Sequence, residues 1–148
     1  YHRQLDGLIY QPLYEETCYL YCCDRHPLFS EQNEEIVRER LQNCRSVQAG
    51  IQTNPEVAMQ MVGLAKTATA YYYETRAVMI LSGAYVGYLP EHYANKWEAE
   101  GRLRKLLPAE RGYKLGIAAI THQFSRLNKP RDFFMRLLQT QMECNPPR

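Results

Sequence analysis

The sequence predicts an all-α fold, a bundle of five to six helices led by an N-terminal arm. Three observations predict it. Pro55, Pro90, Pro108, Pro130 and the closing pair Pro146 and Pro147 divide the chain into stretches, and proline is tolerated in a first helical turn but breaks a helix further in. Within the stretches, apolar residues recur at steps of three and four. Strand signals are sparse, because β-branched residues are scattered and no Asn-Gly or Asp-Gly hairpin turn occurs.

The elements follow in order. Residues 1–11 carry no sustained period and read as an extended arm around Gly7. Pro12 to Cys23 reads as a short helix, with Glu15 and Glu16 early and Tyr14, Cys18 and Tyr21 along one face; His26-Pro27 ends it. Ser30 is a good N-cap for a helix through Ile36, Leu41, Cys44, Val47 and Ile51, closing near Gln52. Asn54-Pro55-Glu56 restarts the chain. Val57, Met61, Leu64, Ala68, Tyr71, Thr75, Val78 and Ser82 then keep an alternating step of four and three, the spacing of a seam along one long helix. Gly83 and Gly87 end it. Further helices run from Pro90 past Tyr93, Trp97 and Leu103, from Ala109 to Leu127, and from Pro130 through Phe134, Leu137, Leu138 and Met142. The expected organisation is one helical domain over 1–148: arm and short helix in 1–29, two long helices in 30–82, and a C-terminal bundle in 90–143. A chain of 148 residues that is 45% hydrophobic has the size of one domain.

The longest uncharged run, Ala77 to Pro90, is shorter than the roughly 20 residues of a bilayer span and is broken by two glycines, so no membrane span is expected. The chain begins with Tyr1 and without a secretory-type leader, which predicts a missing upstream segment. Twelve tyrosines are many for this length. They cluster at Tyr10, Tyr14, Tyr19 and Tyr21 and again at Tyr71, Tyr72 and Tyr73, and at least one of the triple run should face outward.

Candidate chemistry is thin. Cys18, Cys22 and His26 would share a helix face at steps of four, a partial zinc set that needs a fourth ligand from Cys44, Cys144 or elsewhere. The simpler reading is that the cysteines are small apolar core residues. Five cysteines exclude a fully paired framework. The histidines at 2, 26, 92 and 122 share no neighbourhood with a Ser or Cys nucleophile and an acid, and no di-iron Glu-x-x-His pair, Gly-rich phosphate loop or His-Glu-x-x-His occurs. The expectation is no enzyme, no catalytic residue, no metal and no cofactor. A thiol- or zinc-dependent enzyme stands as a remote alternative.

The net charge of +2 hides an imbalance. Residues before Tyr85 carry 7 Lys/Arg against 10 Asp/Glu, and the remainder 11 against 6. Arg102, Arg104, Lys105, Arg111 and Lys114 surround Leu103, Leu106 and Leu107, and could grip phosphates from two sides. Arg126, Lys129, Arg131 and Arg136 form a second cluster.

The arm Tyr1 to Gln11, the helix bearing Arg38 and Arg45, the long Pro55 to Ser82 helix and the bundle from Pro90 resemble in general character the coat proteins of filamentous and rod-shaped archaeal double-stranded DNA viruses. No diagnostic motif carries the likeness. The resemblance implies a capsid subunit that packages double-stranded DNA by non-specific phosphate contacts, in a virion, with copies of itself or a related second coat subunit. By position it implies that Arg38, Arg45, Lys66 and Arg76 face phosphate, with the Arg102 to Lys114 cluster as a rival surface. The alternative is an intracellular, soluble helical interaction module that binds protein and no nucleic acid.

Overall fold

Leu20, Tyr21, Cys22 and Cys23 are all fully buried. An amphipathic helix does not bury four consecutive side chains, whereas a strand covered on both faces does. In the computed structural model, which describes residues 5–50, 54–123 and 128–144, these four close a long strand, β1 (Leu8–Cys23). The remaining elements are α1 (Glu34–Leu41), β2 (Arg45–Gln48), α2 (Pro55–Gln60), β3 (Ala65–Thr69), α3 (Tyr73–Leu81), β4 (Val86–Pro90), α4 (Glu91–Ala99), β5 (Leu103–Lys105), β6 (Gly112–His122) and α5 (Lys129–Cys144).

The strands form one mixed six-stranded sheet in the order β3-β2-β4-β1-β5, with β6 paired to β1. β2 is parallel to both β3 and β4, while β1 is antiparallel to β4 and β5. The chain therefore steps outward from β2 to β3 through α2, then crosses back through α3 to lay β4 on the other side of β2. Gly87 permits the central pairing, since a Cβ there would lie 2.8 Å from Cγ1 of Val47 on β2.

The chain divides into two compact units. The middle unit covers Thr17–Lys114, and the terminal unit covers Tyr1–Glu16 with Leu115–Arg148. In the middle unit a core of Tyr21, Val47, Ala77, Ile80, Leu89, Ala94 and Leu103 fills the space between sheet and helices. The terminal unit contributes stretches of β1 and β6 and all of α5.

The all-α expectation is overturned, and each failure has a physical reason. Pro12 to Cys23 is strand because its tyrosines, Leu20 and the two terminal cysteines pack well on a pleated surface. The apparent seam from Val57 to Ser82 runs across four pieces: α2, a turn at Gly63 with φ near 80°, β3 and α3. An alternation of threes and fours places residues in a helix only if the chain stays helical between them, and Gly63 ends that. The run Val86–Pro90 is buried throughout, a strand inside a sheet that is apolar on both faces and shows no alternation. The helix expected to reach Gln52 stops at Leu41, and Arg45–Gln48 is strand; residues 51–53 lie outside those described. The helix expected over 109–127 is strand through Gly112–His122; residues 124–127, Arg126 among them, lie outside those described. Four helix starts coincide with the expected ones to within a few residues: Asn33 caps α1, Asn54 caps α2 with Pro55 in the first turn, α4 follows Pro90 and α5 begins at Lys129.

Candidate functional site

In an open α/β sheet the order reversal leaves a crevice outside the carboxyl ends of the parallel strands, because the crossovers depart there in opposite directions. Here those ends are Gln48 of β2, Thr69 of β3 and Pro90 of β4. The loop after β2 carries Gly50, and the Tyr71 ring from the loop after β3 lies so close to it that any Cβ would overlap the ring. Tyr71 and Tyr72 are exposed and Tyr73 is half-buried, so the triple tyrosine run divides between solvent and fold as expected.

Two helices begin at this edge with open N-termini. The first N–H groups of a helix have no intrahelical acceptor. Asn33 and Asn54 accept from the first turns of α1 and α2, but the residues before α3 and α4, Tyr72 and Pro90, make no side-chain cap. Arg76 stands in the first turn of α3. Helical side chains lean toward the N-terminus, and the Arg76 guanidinium accordingly stacks 4.4 Å above the Tyr73 ring. Its Nη1 donates to the Tyr88 carbonyl at 3.3 Å. Arg76 is only 6% exposed, and its Nε has no hydrogen-bond partner. No ion pair to a carboxylate satisfies it among the described residues. Burying a guanidinium without a counter-charge opposes folding by several kcal/mol in order of magnitude.

Aromatic rings wall this position. Tyr73 lies 6.3 Å from Tyr93, which meets Trp97 edge-on at 5.4 Å. Tyr113 packs 5.2 Å from Tyr88. Burial, reinforced by the Cys18 thiol, pushes the Tyr113 hydroxyl up, and the Arg76 guanidinium pulls it back. Burial also pushes Tyr88 up to about 12. Its hydroxyl lies 3.2 Å from both the carbonyl oxygen and Oε1 of Gln60.

The other cations singled out in the sequence have different surroundings. Arg38 and Arg111 come together around Glu110; Arg38 pairs with that carboxylate, holding its pKa below the usual range. Arg111 also donates to the carbonyls of Gln60 and Val62 at 2.9 and 3.0 Å. Arg45 donates to the Tyr85 hydroxyl at 2.5 Å and stacks on its ring. Arg102 lies 3.7 Å from Glu100. Arg104 donates to the carbonyl of Phe29 at 2.6 Å. Desolvation works against the charge of Lys105, but Glu91 at 2.7 Å and Glu98 at 3.4 Å outweigh it and hold its pKa up. Lys66 and Lys114 are exposed on β3 and β6. The structure thus sends neighbours in sequence to different tasks. Arg76 is the one of these buried at the carboxyl edge, whereas the coat-protein resemblance had set it against phosphate. Tyr73, Tyr88, Tyr113 and Cys18 join it there; Tyr73 showed in the sequence as part of the triple run and Cys18 as a candidate zinc ligand, while Tyr88 showed only in the count of tyrosines.

The cysteine cluster also changes meaning. Cys18, Cys22 and Cys23 are buried thiols and Cys44 a half-buried one, none of the four in a disulfide. The helical face that would have aligned Cys18, Cys22 and His26 does not form: the two cysteines stand on β1, and His26 lies in the turn past its end at Cys23. Among the described residues, no three His, Cys, Asp or Glu side chains converge as a metal site. Burial pushes the Cys22 thiol up to about 12, against the pull of Arg104. No described helix is long and apolar enough to cross a membrane.

Comparison with known proteins places the fold. Residues 2–143 match the model of the LysR substrate binding domain. The HTH-type transcriptional activator BauR of Pseudomonas aeruginosa is 36% identical over 124 residues, which are 84% of this chain and 41% of that protein. The apo regulatory domain of HypT from Salmonella typhimurium superposes with a TM-score of 0.73 at 13% identity, covering 95% of this chain and 68% of that one. The effector domain of AmpR from Pseudomonas aeruginosa gives 0.70 at 14% identity, with 95% and 68% covered. The chain spans about two-fifths of its curated relative's length. These matches overturn the viral coat-protein resemblance, and with it the capsid function, the packaged double-stranded DNA and coat-subunit partners, and the place in a virion. They equally replace the helical interaction module. The matched family is one of transcription-regulator domains and not of enzymes, in agreement with the expectation that the chain is no enzyme.

Proposed function

This chain belongs to the family of LysR substrate binding domains, and from that premise we propose that it is the effector-sensing part of a transcription regulator, with a small molecule seated at the carboxyl edge of β2, β3 and β4. The observation that carries the location is the coincidence, at the strand-order reversal, of Gly50 beneath Tyr71 with the uncapped starts of α3 and α4. Such a seat offers backbone donors, aromatic walls and one buried charge, the few convergent polar groups in an apolar setting that ligand sites use. Binding would report on metabolite level inside the cell, where the regulator's promoter lies.

The test is a small-metabolite screen by thermal shift, followed by NMR of the 148-residue chain with each hit. A ligand that binds the folded state raises its melting temperature by mass action. The expected result is that hits move the backbone amides of residues 49–50, 70–73 and 91–93 and leave those of α1 in place. Hits that move α1 or β5 and spare the edge would reject this seat.

A further inference from the structure

Folding has placed a permanent positive charge at the carboxyl edge and left one of its donors idle. Arg76 is more than nine-tenths buried, its Nη1 is taken by the Tyr88 carbonyl, one face is covered by the Tyr73 ring, and Nε has no acceptor. Its side chain lies along the first turn of α3, whose N–H groups lack a side-chain cap. The idle Nε–H and the open helix start therefore belong to one place, and both favour negative charge. Among the described residues, Arg76 Nε and the Tyr21 hydroxyl are the buried side-chain polar atoms left without a hydrogen-bond partner, and Arg76 Nε is the one that carries charge.

We propose that Arg76 selects the effector's class: the edge takes a small anion bearing a carboxylate, with one oxygen accepting from Arg76 Nε and the charge set against the N-terminus of α3. This rests on the effector seat argued above. A carboxylate entering here meets a guanidinium that folding has already stripped of water and fixed by stacking, so binding has little further ordering or desolvation of that partner to overcome. A neutral isostere gains the same aromatic contact but no charge-assisted bond. The tyrosine walls fit a flat or short-chain body behind the carboxylate.

The experiment titrates the whole chain with acetate, benzoate, succinate and glutarate, and in parallel with acetamide and benzamide, while following the Arg76 Nε–H resonance and the backbone amides by NMR. Saturable movement of the Nε–H signal with at least one carboxylate and with neither amide is expected. Arg76→Gln should weaken that binding about tenfold or more. Arg76→Lys, which keeps the charge and loses the planar donor, should restore only part of it, with both variants checked for native circular dichroism. Failure of every carboxylate to move Nε–H at millimolar concentration overturns the proposal. If the amides bind as well as the carboxylates and still move residues 70–73 and 91–93, the anion class falls and the effector seat stands. If bound molecules move neither Nε–H nor those amides, both fall.

Discussion

Both units expose some large apolar side chains, Met59, Val62 and Val78 among them in the middle unit, but they differ in what they bury. Among the described residues, every buried hydrophobic side chain lies between Cys18 and Tyr113, inside the middle unit. In the terminal unit Leu5, Ile9, Ile120, Phe133, Phe134 and Leu137 are all exposed, Phe134 by 61%. The two units share strands β1 and β6, so the difference does not come from local backbone preference. It comes from layering: the middle unit has helices against its strands, and burial of that interface supplies the main folding energy. In the terminal unit the apolar groove of about 400 Å³ lined by Tyr10, Pro12, Tyr14 and Ile117 is open. Among the described residues, the buried hydrophobic side chains thus gather in one part of the chain alone.

Four measurements would sharpen or break this contrast. The largest effect expected is alkaline unfolding of the middle unit. Cys22 rises from 9.0 to about 12 and Tyr88 from 10.0 to about 12 on folding, and Tyr21 and Tyr113 rise as well. A raised acid holds its proton in the fold longer than in the unfolded chain. The stabilisation is therefore intact below about pH 9 and is lost as pH climbs through about 12. Loss of β-sheet circular dichroism should track tyrosinate absorbance; ionisation of these tyrosines with the sheet intact would break the contrast. Next, Leu20→Ala in the buried stretch of β1 should cost about 2–5 kcal/mol in urea unfolding, against less than about 0.5 kcal/mol for Phe134→Ser in α5, which should also gain solubility. Equal losses would show that α5 carries a core after all. Third, Gly87→Val would press on Val47 and should cost about 1–3 kcal/mol, with hydrogen exchange rising in β2 and β4 and unchanged in α5. The smallest is Asn33→Ala, which removes the cap on Glu35 N–H and should cost about 1 kcal/mol.

What the sequence made legible was punctuation. Asn54-Pro55, Pro90 and Pro130 mark real helix starts because capping and ring geometry act within a few residues. What it concealed was the state of the chain between those marks. Val86 to Pro90 carries no charged residue, and such a run reads alike in a buried helix and a buried strand; its five-residue length, Gly83 before it and Gly87 within it were the arbiters. The site was concealed more deeply. Arg76 shows as one more cation in a helix, and nothing in its spacing reveals that α3 crosses between two parallel strands and turns that side chain inward against Tyr88. Tyr113 joins it from 37 positions further along the chain, a proximity only the sheet order creates.

Trp97 is the single tryptophan of the chain. Its place on α4, four residues past Tyr93 and with the Lys96 ammonium 3.9 Å above its ring, gives the molecule an optical property. Light absorbed by Tyr73 or Tyr93 passes across the short ring-to-ring distances to the indole and leaves as indole emission, dimmed or brightened according to where the ammonium sits. The molecule therefore carries its own lamp, whose brightness follows the contact between the Lys96 ammonium and the indole and needs no dye.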